Sequence, residues 1–137
     1  MKCLSTSWCG LNWTNWVPFS PSPAGFRAIP RTPGVYRIRP SGTSQLAYIG
    51  QTGRDLRERL RDLCLNTLKP EMPFNDPHTA APSLWTWADA EGMSFECSAA
   101  ATANDSVPER KALVCDLLWQ NRREKRDATR YRDYRTV

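Results

Sequence analysis

Two short runs of β-forming residues, 33–39 and 45–50, flank the turn-forming sequence Pro-Ser-Gly-Thr-Ser at 40–44. This order predicts a β-hairpin. Side chains alternate between the two faces of a strand, so the hairpin register decides whether Tyr36 and Tyr48 lie on the same face.

Residues 54–68 carry leucines at helical spacing, with charged residues between them. The leucines are Leu56, Leu60, Leu63 and Leu68. This pattern predicts an amphipathic helix with the leucines facing the core. Thr52 is a candidate N-cap for this helix, and Pro70 is expected to end it.

Apolar and polar residues alternate again over 93–98, which predicts a third strand. A second helical pattern runs over 109–126, with Ser106 as candidate N-cap, and it is expected to turn three side chains inward. These are Ala112, Leu113 and Leu117. Between these elements we expect a Pro-rich loop over 70–83 and a short helix over 83–91.

The order strand, strand, helix, strand, helix predicts an α+β fold, with a small three-stranded, mainly antiparallel sheet flanked by helices. Residues 1–32 are rich in Trp and Pro and are expected to form an irregular N-terminal segment. Residues 33–126 would form the folded domain, and residues 127–137 a basic C-terminal tail.

Composition adds a mild preference for polyanionic partners. The 137 residues include 19 Lys and Arg against 14 Asp and Glu, which gives a net charge of +5. Seven basic and three acidic residues lie within 122–135, so most of the excess comes from this one stretch. No apolar run approaches the roughly 20 residues that span a bilayer, so we expect no membrane association and a cytoplasmic location.

Cysteine and histidine usage narrows the chemistry. The five cysteines are odd in number and contain no Cys-x-x-Cys, a pattern that fits neither a disulfide framework nor a structural zinc site. The single histidine, His78, excludes a His-rich metal site. Carboxylates would therefore hold any metal, which favours a hard cation such as Mg²⁺ or Mn²⁺.

The residues that could take part in catalysis occur in a recognisable order along the chain. Gly34-Val35-Tyr36 lies on the first predicted strand, Tyr48-Ile49-Gly50 lies on the second, and Arg59 and Glu109 lie on the two helices. This series resembles the GIY-YIG nuclease family over about residues 33–121. The first tripeptide is a conservative variant and the second is intact. The resemblance implies a metal-dependent endonuclease that hydrolyses phosphodiester bonds in DNA, with Mg²⁺ or Mn²⁺ as cofactor.

The resemblance also implies roles for individual residues. Tyr36 would act as the base for the attacking water, and Tyr48 would position it. Arg59 would contact the scissile phosphate, and Glu109 would bind the metal. Asn121 matches a later asparagine that is common in the family.

Three further residues are candidates for substrate binding: Gly50, through close backbone approach, and Arg57 and Arg61, through their charge. The chain departs from the family at Leu63, where a His, Tyr or Lys usually follows the arginine by one helical turn. From the chain length we expect no second domain for targeting. Specificity would then come from a homodimer, a separate targeting partner or the N-terminal segment.

Each candidate also has an ordinary structural interpretation. The tyrosines would serve as packing aromatics, the helix arginines as a solvated face, and Glu109 as a first-turn carboxylate favoured by the helix dipole. Two alternative functions therefore stay open. One is a catalytically weak nucleic-acid-binding module on the same fold, and the other is a protein-interaction domain.

Overall fold

The computed structural model describes residues 2–22, 24–69, 84, 92–102 and 106–135, and side chains as far as Arg126. Two short 3-10 turns, Lys2–Leu4 and Trp8–Gly10, begin the chain. The strands are β1 (Val17–Pro18), β2 (Gly34–Pro40), β3 (Tyr48–Thr52) and β4 (Phe95–Ala101). The long helices are α1 (Leu56–Thr67) and α2 (Val107–Arg135). This content confirms the α+β class.

The sheet has four antiparallel strands in the order β1-β4-β2-β3, so the prediction of three strands is wrong. The added strand is β1, in which Val17 pairs with Cys97 and Pro18 with Glu96. Proline density led us to expect irregular chain here. A two-residue strand at the sheet edge tolerates proline, however, because an edge residue can leave its nitrogen outside the ladder.

The predicted hairpin is present, and its register brings the two tyrosines to one face. Tyr36 pairs with Gly50 and Ile38 pairs with Tyr48, so alternate residues of β2 and β3 share a side of the sheet. That side packs against Leu56, Leu60 and Leu63 of α1. The side chains of this sheet face and of α1 together form the larger of the two hydrophobic cores.

The opposite face of the sheet carries a second core. Val35 and Ile49 point into it, and Leu117 of α2 packs on them together with Trp8 and Trp13 from the N-terminal segment. The sheet therefore separates α1 from α2. The N-terminal segment is an integral layer of the second core.

Arg37 lies at the centre of this second core and is fully buried. Its guanidinium donates hydrogen bonds to the carbonyl oxygens of Cys3, Leu4 and Ser5. The same group stacks on three indole rings, with its central carbon 4.3 Å, 4.6 Å and 5.9 Å from the ring centroids. Those rings belong to Trp13, Trp16 and Trp8. Burial lowers the pKa of Arg37 to about 10, so the side chain stays charged at neutral pH.

Helix α1 begins later than predicted. Its N-cap is Asp55, whose carboxylate accepts hydrogen bonds from the backbone nitrogens of Arg57 and Glu58. Thr52 instead closes strand β3, and its hydroxyl accepts from the nitrogen of Arg54. Leu68 follows the last helical residue and is exposed, because the helix ends before this leucine reaches the core.

Strand β4 runs to Ala101, further than the predicted 93–98, because its small alanines fit beneath the neighbouring layers. Helix α2 then continues through Arg135, so the backbone of the basic 127–135 stretch is helical. Leu117 is buried as predicted, whereas Ala112 is exposed. The predicted loop at 70–83, with His78, and the short helix at 83–91 lie outside the described residues except for Leu84, which is helical and buried.

None of the helices in the described part of the chain combines the length and apolar character that crossing a bilayer requires.

Gly34 provides a test of the packing between β2, β4 and α1. A Cβ at this position would lie 2.2 Å from the carbonyl oxygen of Ala100 and 2.7 Å from Cδ1 of Leu56. We expect Gly34→Ala to lower the free energy of unfolding by about 3 kcal/mol or more, since one of the clashing atoms is backbone. Urea denaturation measures the loss. The matched control is Gly25→Ala, where the nearest atom is 3.4 Å away and the change should stay below about 1 kcal/mol. Equal losses in the two variants would contradict this packing.

Candidate active site and basic groove

The two tyrosines form a pair on the α1 side of the sheet. Their ring centroids are 6.1 Å apart with an interplanar angle of 31°. Tyr36 is 1% exposed, whereas Tyr48 is half-buried. Of the two phenols, Tyr48 therefore has the better access to a ligand in solvent.

Gly50 makes room for this pair. A Cβ on Gly50 would lie 2.5 Å from both Cζ and the hydroxyl oxygen of Tyr36, and 2.8 Å from Cε1 of Tyr48. Since Gly50 is the cross-strand partner of Tyr36, the ring of Tyr36 lies over the glycine backbone. The terminal glycine of the Tyr-Ile-Gly sequence is thus required by the first tyrosine of the series.

Strand β3 leads from this pair into an open groove of about 860 Å³. We call it the β3–α1 groove. Its lining comprises Gln51, Thr52, Gly53, Arg54, Arg59, Asp62, Leu65, Asn66 and Lys69. Three basic residues against one acidic residue give the groove a positive balance.

Arg59 is the predicted site residue that reaches this groove. It lies on the half-buried side of α1, between the buried leucine stripe and solvent. Arg54, Asn66 and Lys69 also line the groove, and none of them is among the site residues predicted from the sequence. Positions 59, 62 and 66 recur at helical spacing, which is the pattern that would have identified one face of α1, and Lys69 follows just after the helix ends.

The first turn of α2 contacts the end of β3 and Gly53, which follows that strand. Arg110 of α2 donates from Nε to the side-chain oxygen of Gln51 at 3.2 Å. A Cβ on Gly53 would lie 2.8 Å from Nη2 of Arg110 and 3.9 Å from Val107. The start of α2 therefore lies beside the end of the groove, although the two helices cover opposite faces of the sheet.

Glu109 lies in this first turn of α2 and is exposed. Its carboxylate accepts a hydrogen bond from the backbone nitrogen of Ser106, and the Ser106 hydroxyl accepts one from the nitrogen of Glu109. This reciprocal pair is a capping box. The hydrogen bonds from Ser106 hold the pKa of Glu109 below its usual value, so the carboxylate is ionised at neutral pH.

Nothing in the described ranges groups three His, Cys, Asp or Glu side chains as a set of metal ligands. A cation at this place would therefore rely on the Glu109 carboxylate, together with water and substrate oxygens. One carboxylate oxygen is engaged by Ser106, which leaves the second oxygen as a hard ligand of the kind that Mg²⁺ or Mn²⁺ takes.

Asn121 lies apart from these residues. It is buried on α2, one turn after Leu117, and therefore faces the second core and not the tyrosine side of the sheet. Twelve residues of helix separate it from Glu109, a rise of about 18 Å. The structure does not bring Asn121 to the tyrosine pair.

Arg57 and Arg61 also lie away from the β3–α1 groove. The guanidinium of Arg57 donates to the carbonyl oxygens of Ile29 and Arg27, each at 3.0 Å. Both arginines line a separate cleft on another side of α1. Leu63, the departure from the family pattern, is fully buried in the α1 core, so that position faces packing atoms and not the groove.

No protein-family model, curated protein or solved structure matches this chain.

The contact between Gly50 and Tyr36 predicts energetic coupling. We expect Gly50→Ala to lower the free energy of unfolding by about 2–3 kcal/mol, because the added methyl must displace a buried ring. In a Tyr36→Ala background the clash with Tyr36 is absent and only the contact with Tyr48 remains, so the same glycine substitution should cost at least about 1 kcal/mol less. Urea denaturation of the four proteins measures this cycle. Additive losses would show that the two residues do not share this space.

Proposed function

We propose that this chain is a divalent-metal-dependent endonuclease that resembles the GIY-YIG nucleases and hydrolyses phosphodiester bonds in DNA. One observation carries the proposal. The paired tyrosines of the two tripeptides lie on the α1 side of the sheet, and strand β3 runs from them into the basic groove lined by Arg59. Target selection by a second copy or by a separate partner stays a prediction.

The groove supplies the interactions that a nucleic-acid backbone needs. Arg59 carries a planar, permanently charged donor that matches the geometry of phosphate oxygens. Arg54 and Lys69 extend the positive lining on either side along the groove. Binding through these cations would release counterions from the nucleic acid, so affinity should fall as salt is added.

The burial of the two tyrosines favours a division of roles opposite to the one expected from the sequence. Tyr48, which is half-buried, would orient the attacking water or accept its proton. Tyr36, which is buried against Gly50, would hold the Tyr48 ring in place. Tyr36 is then a positioning residue.

Glu109 would hold the divalent cation at the groove end. When bound, such a cation polarises phosphoryl oxygens and lowers the pKa of coordinated water. The ionised state of Glu109 and its second carboxylate oxygen suit this role. Ser106 fixes the first oxygen and so restricts the rotation of the carboxylate.

A second candidate function is a DNA-binding module without cleavage. The capping box of Glu109 favours it, because this interaction explains the carboxylate without any metal. The burial of Leu63 favours it as well, since a core leucine occupies the place of a polar family residue.

Substitutions in the capping box separate these two functions. Glutamine at N3 preserves a capping box but carries no charge. We therefore expect Glu109→Gln to keep the melting temperature of the protein while lowering Mg²⁺-dependent plasmid nicking at least 100-fold. Ser106→Ala is the matched control, because it should lose about 1 kcal/mol of stability through the lost cap and still nick DNA.

Wild-type nicking should stop when EDTA removes the metal. Nicking by Glu109→Gln at the wild-type rate would exclude Glu109 as the metal ligand. Salt-sensitive DNA binding by a wild-type protein that never cleaves would support the binding module instead.

The groove itself is tested by DNA affinity in EDTA, which prevents cleavage. We expect Arg59→Gln to weaken binding of a labelled duplex and to reduce the slope of log affinity against log salt by about one. Fluorescence anisotropy between 50 and 200 mM salt gives both quantities. The exposed Arg123→Gln removes the same charge from the outer side of α2 and should change the affinity less than twofold. Equal effects of the two variants would remove the β3–α1 groove from the proposal.

A further inference from the structure

A second concave surface lies on a different side of α1 from the β3–α1 groove. Its volume is about 310 Å³, near the lower end for small-ligand pockets. We call it the arginine cleft. It is lined by Phe26, Arg27, Arg31, Arg57, Glu58 and Arg61. Four of these six side chains are arginines, and one is acidic.

Two of the arginines are held in place by the fold. Arg57 donates from Nε to Ile29 and from Nη2 to Arg27, which fixes its guanidinium plane against the 27–29 backbone. Arg31 donates from Nε to the Asp55 carboxylate at 2.9 Å, and this partner raises the pKa of Arg31. The Arg57 guanidinium is thus positioned before any ligand arrives, whereas the Arg31 side chain, which is 69% exposed, is restrained by one ion pair.

The other two arginines contribute charge that the protein leaves uncompensated. Arg27 and Arg61 are exposed, and neither enters an ion pair within the described part of the chain. Glu58 and Asp55 together offset two of the four positive charges around the cleft. A net positive concavity remains, over a floor that includes the buried ring of Phe26.

We propose that the arginine cleft binds a phosphate group. Guanidinium groups pair with phosphate oxygens through parallel hydrogen bonds, and the pre-positioned Arg57 lowers the entropy lost on binding. The volume of about 310 Å³ leaves room for a phosphate or pyrophosphate group beside the arginines. This site goes beyond the proposed nuclease function and does not depend on it.

Nuclear magnetic resonance titration with pyrophosphate tests the site directly. We expect saturable shifts of amide signals from residues 26–31 and 57–61, together with the Nε–H signal of Arg57. The variant Arg27→Gln/Arg61→Gln should bind pyrophosphate at least tenfold more weakly. The control Arg122→Gln/Arg123→Gln removes the same charge from exposed positions on α2 and should bind within twofold of wild type.

A third variant guards against loss of folding. Arg27→Lys/Arg61→Lys retains the charge but not the forked donor, so it should fold normally and bind with intermediate affinity. Unchanged affinity in the glutamine variant, or shifts that do not saturate and spread over the whole surface, would overturn the proposal.

A DNA titration in EDTA then identifies the source of the phosphate. A smaller salt slope for Arg27→Gln/Arg61→Gln than for the α2 control would mark a nucleic-acid phosphate as the ligand. An unchanged slope, with pyrophosphate binding lost, would mark a free phosphate compound. Either result supports the site. A protein that does not nick DNA but binds pyrophosphate at the arginine cleft would support the phosphate site and contradict the nuclease proposal.

Discussion

The burial of Arg37 is the constraint on which the rest of the molecule depends. A guanidinium at the centre of a sheet requires compensation for its lost hydration, and here three carbonyl oxygens and three indole faces provide it. All of these partners lie in residues 3–16, so the N-terminal segment must cover this face. Trp8 in turn donates to Glu124 of α2, which links the segment to the helix beside it. One buried cation thus organises an entire layer.

This arrangement determines where a functional site can form. The second core occupies one face of the sheet, and α1 with its leucines occupies the other. At the end of β3, Arg110 of α2 reaches Gln51 and Gly53, two residues that also line the groove beside α1. Arg59 and Glu109 both lie near that end, whereas Asn121 lies three turns away. The position of a residue along its helix decides its access to the site as much as its chemical type does.

Local patterns predicted the main elements well, because the hairpin and α1 depend on short-range periodicity. They failed where distant partners decide the structure. Strand β1 forms because Val17 pairs with Cys97 of β4, a contact between distant residues that no local pattern indicates. Arg37 would be solvated by its residue type alone, yet the tryptophans enclose it. The sequence left the shared face of the two tyrosines dependent on the hairpin register, which the structure supplies. The separation of Arg57 from Arg59 likewise required the three-dimensional placement of the 27–29 backbone.

The contact between Gly50 and Tyr36 changes what the two tripeptides mean as a signature. The glycine is small because a buried ring occupies the space above it, and the ring stays buried because the glycine is small. Shape complementarity alone would then hold this pair of residues together whether or not a chain that carries them cleaves DNA. A sequence search for the two tripeptides therefore detects residues that fit together in a packed core. In the proposed nuclease, activity would depend on Arg59 and Glu109, and Glu109 also has a structural role in its capping box with Ser106.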